Sequence, residues 1–432
     1  MVATSLPLEL EWRGENMMTN EERRHRLERL LDLAQVYRGW TRRELAKSLG
    51  RDPTKLVPGS GNPKLDLIVS LAEVLDWSIG EVTECLWAPS RGTDKTNSSG
   101  DELTFDDLDE LAGEAYRRGD YREMIRMAVR ARNVAGTAEE RARSWNRELG
   151  GWDGLGRFNK TLDAAREALR ENPISDDMRR LLQSNLANAY YVLWHLTEAR
   201  TTACDLIDHY RSSPPATDRD RRTLAFSHYV LGHTHRRLID SEPAHASRHA
   251  KICQRHLTEA QQQFELLATE MGSHLNGIAR TCRGGILEAE VLLGSIDARL
   301  ALAEINDCLN EAIDPQAISG DDLESYGWWC IFGCNITLRH ITDERDLQRH
   351  MALFTNKADE VANILDNWAM RERVFSMQYA GHRRFVGWTG QPLRMTIDSE
   401  DIKMITGTMG RFPQFRQTGW NMLENACVVN AG

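Results

Sequence analysis

Residues 39–87 read GWTRRELAKSLGRDPTKLVPGSGNPKLDLIVSLAEVLDWSIGEVTECLW. This stretch contains several short segments with helical periodicity, separated by glycine and proline. Thr41 is a good helix N-cap, and Glu44 follows three residues later, which is the spacing of a capping box. The apolar residues after it recur on one helical face. Gly50 provides the left-handed turn that ends such a helix. The pattern therefore predicts a short helix between Thr41 and Gly50.

Three more short helices are predicted downstream. Residues 52–53 (Asp-Pro) open the first, because a cap residue followed by proline favours a helix start. Pro58 limits it to about 53–57, since an interior proline lacks an N–H donor and clashes with the preceding turn. Pro63 opens the next helix, and Ser78 caps the last. Apolar residues repeat at helical spacing in these last two helices: Leu67, Ile68, Leu71, Ala72 and Leu75, then Ile79, Val82 and Leu86.

With LERLLDLAQVYRG (27–39) as a first helix, residues 20–86 resemble the lambda-repressor-like (Xre-type) helix-turn-helix domain. RELAKSLG resembles the first helix and turn of the motif, and NPKLDLIVSLAEVLDWSIGEV the stretch after the recognition helix. In that family the start of the recognition helix faces base edges in the major groove. The family usually has a longer stretch between Leu56 and Asn62, so the recognition helix predicted here is short. The resemblance implies DNA contacts from Arg42, Arg43, Arg51, Thr54 and Lys55.

The charge distribution is uneven. The chain has 432 residues and a net charge of −10. Residues 20–64 nevertheless contain eleven Lys and Arg against six acidic residues. A basic head on an acidic body is typical of a protein whose head faces phosphates. An alternative is an arginine-rich first helix that is merely solvated.

Composition also predicts the compartment. The eight cysteines form no CxxC pair, which favours reduced thiols in a cytoplasmic protein. The N-terminus has no basic region followed by an apolar run, as a signal peptide would. No apolar stretch approaches the ~20 residues needed to span a bilayer. The sequence therefore predicts a soluble cytoplasmic protein.

Composition shifts divide the chain into five parts. Residues 1–19 are expected to be an arm and 20–87 the helix-turn-helix domain. Residues 88–102, rich in Ser, Thr, Gly and Asp, have the composition of a flexible linker. We expect a helical repeat domain at 103–384 and a C-terminal cap at 385–432, with one or two short helices around 398–405.

The repeat prediction depends on self-similar segments at 112–124, 149–173 and 185–207. They resemble tetratricopeptide (TPR) repeats, in which paired helices meet at a sharp bend. The bends are predicted at Gly119, Gly156 and Trp194. Ala165, Ala168, Ala199 and Ala203 occupy positions where small residues let helices approach closely. Stacked pairs form a superhelix with a concave surface, and polar connections at 212–222 and 239–250 are predicted to interrupt it.

The sequence contains no recognisable set of catalytic or metal-binding residues. His245 and His249 are four residues apart, as in helical metal pairs, but polar helix faces explain the histidines as well. The sequence contains no HExxH, GxSxG or phosphate-loop pattern. We therefore predict no enzyme activity, no metal site and no cofactor.

The sequence thus predicts an all-α protein: a small five-helix helix-turn-helix domain followed by a TPR-like α-solenoid. This architecture resembles regulators whose TPR body binds a short signalling peptide. It implies a homodimer, DNA as one partner, and a peptide or protein in the groove, with no membrane partner. The alternative hypothesis is a protein-interaction scaffold whose head no longer reads DNA.

Overall fold

The computed structural model describes residues 19–59, 62–75, 77, 79–87, 103–272, 275–311, 320–390 and 394–428. The predicted linker, the predicted arm before Thr19 and the predicted cap residue Ser78 lie outside this part of the chain. The chain divides into two compact units between residues 101 and 102. Most described residues are helical, which confirms the all-α fold class.

The described part of the head contains four helices: α1 (Asn20–Arg38), α2 (Arg42–Ser48), α3 (Leu65–Leu75) and α4 (Ile79–Trp87). The predicted capping box is present, because the Thr41 side chain accepts from the backbone N–H of Glu44. Gly50 has φ +65°, as its place after α2 requires. The apolar faces of the four helices bury one shared core that includes Leu45, Leu71 and Leu86.

The predicted recognition helix at 53–57 does not form, so the prediction of five helices is wrong for the described head. Residues 51–59 form turns instead. The carboxylate of Asp52 accepts hydrogen bonds from the backbone N–H (2.8 Å) and hydroxyl (2.5 Å) of Thr54. Such a local turn competes with helix formation, and Pro58 leaves too few residues for a stable helix. Leu56 anchors the segment, because its side chain is fully buried.

The body is a stack of antiparallel helices in which each helix packs against the next. Every odd-numbered helix also contacts the next odd-numbered helix, so the odd helices form one layer. This arrangement confirms the TPR-like solenoid. The helices are α5 (Phe105–Arg117), α6 (Tyr121–Val134), α7 (Ala138–Gly154), α8 (Phe158–Arg170), α9 (Asp176–Val192), α10 (Leu196–Ser212), α11 (Asp218–Ser241), α12 (Ala246–Met271), α13 (Asn276–Leu292), α14 (Ala298–Glu311), α15 (Gly320–His340), α16 (Glu344–Ile364) and α17 (Trp368–Thr389).

The three predicted bends lie between paired helices. Gly119 and Gly156 have φ of +71° and +64°, and Trp194 has φ of +63° at the corresponding place. Glycine adopts this left-handed region without steric cost, whereas tryptophan does not. The small residues predicted at helix contacts are fully buried: Ala165, Ala168, Ala199 and Ala203.

The two predicted interruptions of the stack are wrong. Helix α10 continues to Ser212 and α11 begins at Asp218, because Thr217 caps α11 by accepting from the Asp220 N–H at 3.1 Å. Helix α11 then runs through Ser241, and one 3₁₀ turn leads directly into α12. The polar residues of 218–222 and 246–250 are therefore helical.

The C-terminal segment contains two short helices and two short strands after the last long helix. Helix α17 continues to Thr389, past the predicted boundary at 384–385. It is followed by β1 (Met395–Ile397), α18 (Ser399–Arg411), α19 (Arg416–Glu424) and β2 (Ala426–Val428). The two short strands, which the sequence did not predict, pair in parallel.

This C-terminal cap packs on both the second helix pair and the last long helix of the array. Phe412 lies 5.2 Å from Phe158 of α8, and Phe415 lies 6.2 Å from Phe375 of α17, between ring centroids. All four rings belong to one buried cluster. The cap therefore closes the superhelix onto its second helix pair, instead of covering only the last repeat.

No helix in the described ranges combines the length and apolar character needed to cross a membrane.

Candidate ligand groove and candidate nucleic-acid interface

The layer of odd-numbered helices surrounds a groove of about 640 Å³. Helices α7, α9, α11, α13 and α15 contribute to it, together with residues of α5, α6 and α8 and the turn before α17. Its apolar wall includes six aromatic side chains from five helices: Tyr121, Phe158, Phe226, Tyr229, Trp328 and Trp368. Pockets of a few hundred cubic ångströms with a few convergent polar groups are the usual form of ligand sites.

Amide side chains line one wall of the groove. Asn146 of α7 and Asn185 of α9 lie side by side, and the Asn185 amide donates to the Asn146 carbonyl at 2.8 Å. Asn188 follows Asn185 one helical turn later. A side-chain amide offers both donors and an acceptor, so this row is suited to pair with the backbone of an extended peptide.

An unpartnered carboxylate lies in the same groove. Asp153 of α7 accepts no side-chain hydrogen bond within the described part of the chain, although its neighbour across the groove is Glu324 of α15. Burial, and secondly the charge of Glu324, raise the pKa of Asp153 to about 7. Glu324 itself accepts from Trp328 Nε1 at 3.0 Å and from Asn367 Nδ2 at 2.9 Å. Asp153 can thus hold a proton near neutral pH or pair with a cationic ligand group.

A buried arginine provides the opposite charge. Arg237 of α11 is 5% exposed and lies 3.8 Å from the centroid of the Tyr191 ring. Burial lowers its pKa to about 10. Other arginines near the groove are already paired: Arg143 and Arg147 both bind the carboxylate of Asp109, at 2.8 and 2.9 Å. Among the described residues that line the groove, Arg237 is thus a cation without an ion-pair partner, although its Nη1 donates to the carbonyl of Tyr191.

The sequence analysis identified Trp194 as a bend residue but did not identify Asp153, Glu324 or Arg237. These three residues lie on helices that are far apart in sequence, and each stands in an ordinary amphipathic pattern. Only the curvature of the superhelix brings them to one groove. No local motif could have identified them.

The histidines form two pairs between α11 and α12. Nδ1 of His228 lies 2.8 Å from Nδ1 of His256, and His235 and His249 make the same contact at 2.8 Å. Burial lowers the pKa of His228 and His235 to about 4 and that of His256 to about 3. In the described residues, no group of three or more side chains is arranged to hold a metal ion. The pairs therefore serve as hydrogen-bonded links between two long helices.

The residues predicted to contact DNA occupy different environments. Arg42, Arg43, Thr54 and Lys55 are exposed. The Arg42 guanidinium reaches the carbonyl of Pro53 at 3.4 Å, so it lies beside the turn segment 51–59. Arg51 is different: its guanidinium pairs with Asp66 at 2.7 Å, and its side chain is 22% exposed. The structure places four of the five on the surface and ties the fifth to α3.

No family model matches the chain, and no curated protein matches it. Among solved structures, the chain is similar to a Rap protein in the structure titled "Crystal Structure of Rap Protein Complexed with Competence and Sporulation Factor". The two share 14% identity with a TM-score of 0.37, over 85% of this chain and 97% of the other. By its own helices, the body is a TPR-like helical repeat protein.

Proposed function

We propose that this protein is a ligand-responsive regulator. Its TPR-like body binds a peptide or a short protein segment, and its head binds DNA. The proposal assigns it no catalytic role. The observation that carries it is the groove of about 640 Å³, where amide, aromatic and charged side chains from five successive odd-numbered helices converge.

The contents of the groove favour an extended peptide over a compact apolar ligand. Asn146, Asn185 and Asn188 offer hydrogen bonds along one wall, as a peptide backbone requires. Asp153 and Arg237 offer charges of opposite sign for its termini or side chains. Aromatic rings supply the apolar contact area that carries most binding free energy.

DNA binding by the head is supported by charge. Residues 20–64 hold eleven basic and six acidic side chains, while the whole chain has a net charge of −10. Arg42, Arg43 and Lys55 are exposed on one short segment of the head. Because DNA binding through phosphates releases counterions, its affinity falls steeply as salt rises.

Dimerisation through the helical body belongs to the same proposal. Light scattering on the purified chain measures the oligomeric state.

One observation favours the second candidate, a protein-interaction scaffold whose head does not read bases. Segment 51–59 forms turns where a recognition helix is needed, and Arg51 is bound to Asp66. A head of this kind contacts phosphates at most, without sequence preference.

Selection of bound duplexes from a random DNA pool separates the two candidates. The wild type is compared with Arg42→Ala/Lys55→Ala, and with Arg222→Ala/Lys251→Ala as a control that removes two exposed positive charges from the body. A recovered motif that the double variant loses and the control keeps supports the regulator. Sequence-blind binding, or none, refutes base reading and leaves the scaffold.

A peptide-selection experiment tests the body independently of the head. Peptides retained by the full chain, and lost on Asn185→Leu, support the groove as the ligand site. Retention that Asn185→Leu does not change places the binding elsewhere.

A further inference from the structure

Three buried N–H donors without acceptors lie together at the bend between α9 and α10. They are Nε1 of Trp194, Nε of Arg237 and Nε of Arg373. The Arg237 guanidinium lies 4.5 Å from the centroid of the Trp194 ring, and that of Arg373 lies 5.5 Å from it. Helices α11 and α17 thus each direct one arginine at the same indole. Buried donors are almost always paired in folded proteins, so three orphans in one place indicate a missing partner.

The charges at this place do not balance. Arg237 and Arg373 are 5% and 8% exposed, and neither forms an ion pair with a carboxylate among the described residues. Their other nitrogens have neutral partners, because Arg237 Nη1 donates to the Tyr191 carbonyl and Arg373 Nη2 lies 3.9 Å from Sδ of Met377. The neighbouring Glu372 is also buried, and it accepts a hydrogen bond from Ser376 at 2.8 Å. Two guanidinium groups and one carboxylate leave one net positive charge. A buried charge without a counter-ion is strongly unfavourable.

The adjacent ion pairs do not supply the missing anion. Arg236 binds Glu288 at 3.2 Å, and Arg339 binds both Glu288, at 2.5 Å, and Asp240, at 2.8 Å. These four groups neutralise one another. The excess charge therefore stays with Arg237 and Arg373.

The residue at the bend itself points the same way. The equivalent bends carry Gly119 and Gly156, whereas Trp194 holds φ +63° in the region that disfavours side chains. Nothing in the backbone requires tryptophan here. Its indole ring contacts both arginines and adds a third donor, so the strained residue serves the site and not the turn.

We infer that Trp194, Arg237 and Arg373 bind a carboxylate of the peptide that occupies the groove. Arg237 and the adjacent Tyr191 line the groove, so the anion enters from there. A guanidinium matches a carboxylate geometrically, and one negative charge balances the site. This inference rests on the proposed peptide-binding function.

The test uses the full chain and two pools of N-acetylated random hexapeptides that lack Asp and Glu. One pool ends in a free carboxylate and the other in a carboxamide, and mass spectrometry counts the peptides retained at equilibrium. The wild type is expected to retain roughly tenfold more from the carboxylate pool, the effect of one charge-assisted hydrogen bond. Arg237→Gln is expected to bring this ratio near one. Arg222→Gln, an exposed arginine on the same helix, is expected to keep it.

Folding of the variants is measured separately. Arg237→Gln removes a buried charge that has no counter-ion, but it also removes the hydrogen bond from Nη1 to the Tyr191 carbonyl. Its ligand-free melting temperature is therefore expected to stay close to that of the wild type. If Arg237→Gln does not fold, Trp194→Gly keeps both arginines, relieves the strained bend and removes one donor. It is then expected to reduce the carboxylate preference.

Equal retention from both pools overturns the inference and leaves peptide binding by the groove in place. No retention from either pool overturns both. Inorganic phosphate, tested alone, distinguishes a free phosphate from a peptide carboxylate as the anion that the site binds. If it raises the melting temperature of the wild type but not of Arg237→Gln, and no peptide is retained, the site takes a phosphate and the carboxylate assignment is wrong.

Discussion

Asp153 makes the stability of the body depend on pH in a direction that few carboxylates produce. Its pKa rises from 3.8 in the unfolded chain to about 7 in the folded protein. Between these values the folded state binds more protons than the unfolded state, so stability falls as pH rises. At 1.36 kcal/mol per pKa unit, a shift of about three units corresponds to about 4 kcal/mol above pH 7. The folded protein carries this cost whenever Asp153 is ionised and the groove is empty.

Asp153→Asn removes the charge and keeps the shape of the protonated side chain. The variant is expected to be more stable than the wild type by about 4 kcal/mol at pH 8, with the difference shrinking to near zero by about pH 4. Urea denaturation at several pH values measures the difference, and contributions from other titrating groups cancel between the two proteins. Asp205→Asn, at an exposed aspartate on α10, is the control and is expected to show no such trend. A difference that stays constant with pH would refute the raised pKa.

Three further predictions concern stability. Phe412→Ala is expected to cost about 3–5 kcal/mol in urea denaturation, because a buried ring pair is lost; Trp420→Ala, at a 55% exposed ring, is expected to cost far less. Gly156→Ala is expected to lower the melting temperature more than Gly119→Ala. Both have positive φ, but only at Gly156 does an added Cβ meet an indole, at 2.8 Å. The lowered pKa of His235 means that stability is lost as pH falls from 6.5 to about 4, because the unfolded state binds the proton more readily. His235→Gln is expected to reduce this loss, and an unchanged acid transition would contradict it.

The sequence predicted the repeat architecture because its signals are local. Gly119 and Gly156 mark bends by the backbone conformation they permit, and Ala165 and Ala199 mark contacts by their size. Each requirement is visible within one helix pair. The same local reasoning failed at 53–57, where the turn around Asp52 and Thr54 outcompeted a proline-started helix.

The groove could not be predicted in this way. Asp153 and Glu324 are separated by more than half of the body's sequence, yet they lie close together in the groove. Their proximity depends on the curvature summed over several repeats. Trp194 shows the intermediate case. The sequence placed it at a bend, but its two arginine neighbours come from α11 and α17 and were visible only in the fold.

The closure of the superhelix by Phe412 and Phe158 changes how this repeat protein unfolds. In an open array, stability is a sum over neighbouring repeats, and the end repeats fray first. Here the C-terminal cap joins the second helix pair to the last long helix. Helix α17, at the C-terminal end of the array, is therefore covered by the cap and tied back to α8. Fraying from that side must first break the buried aromatic cluster. Helices α8 to α17 should therefore unfold as one cooperative block, and protease sensitivity should concentrate in α5 and α6, which lie outside the ring.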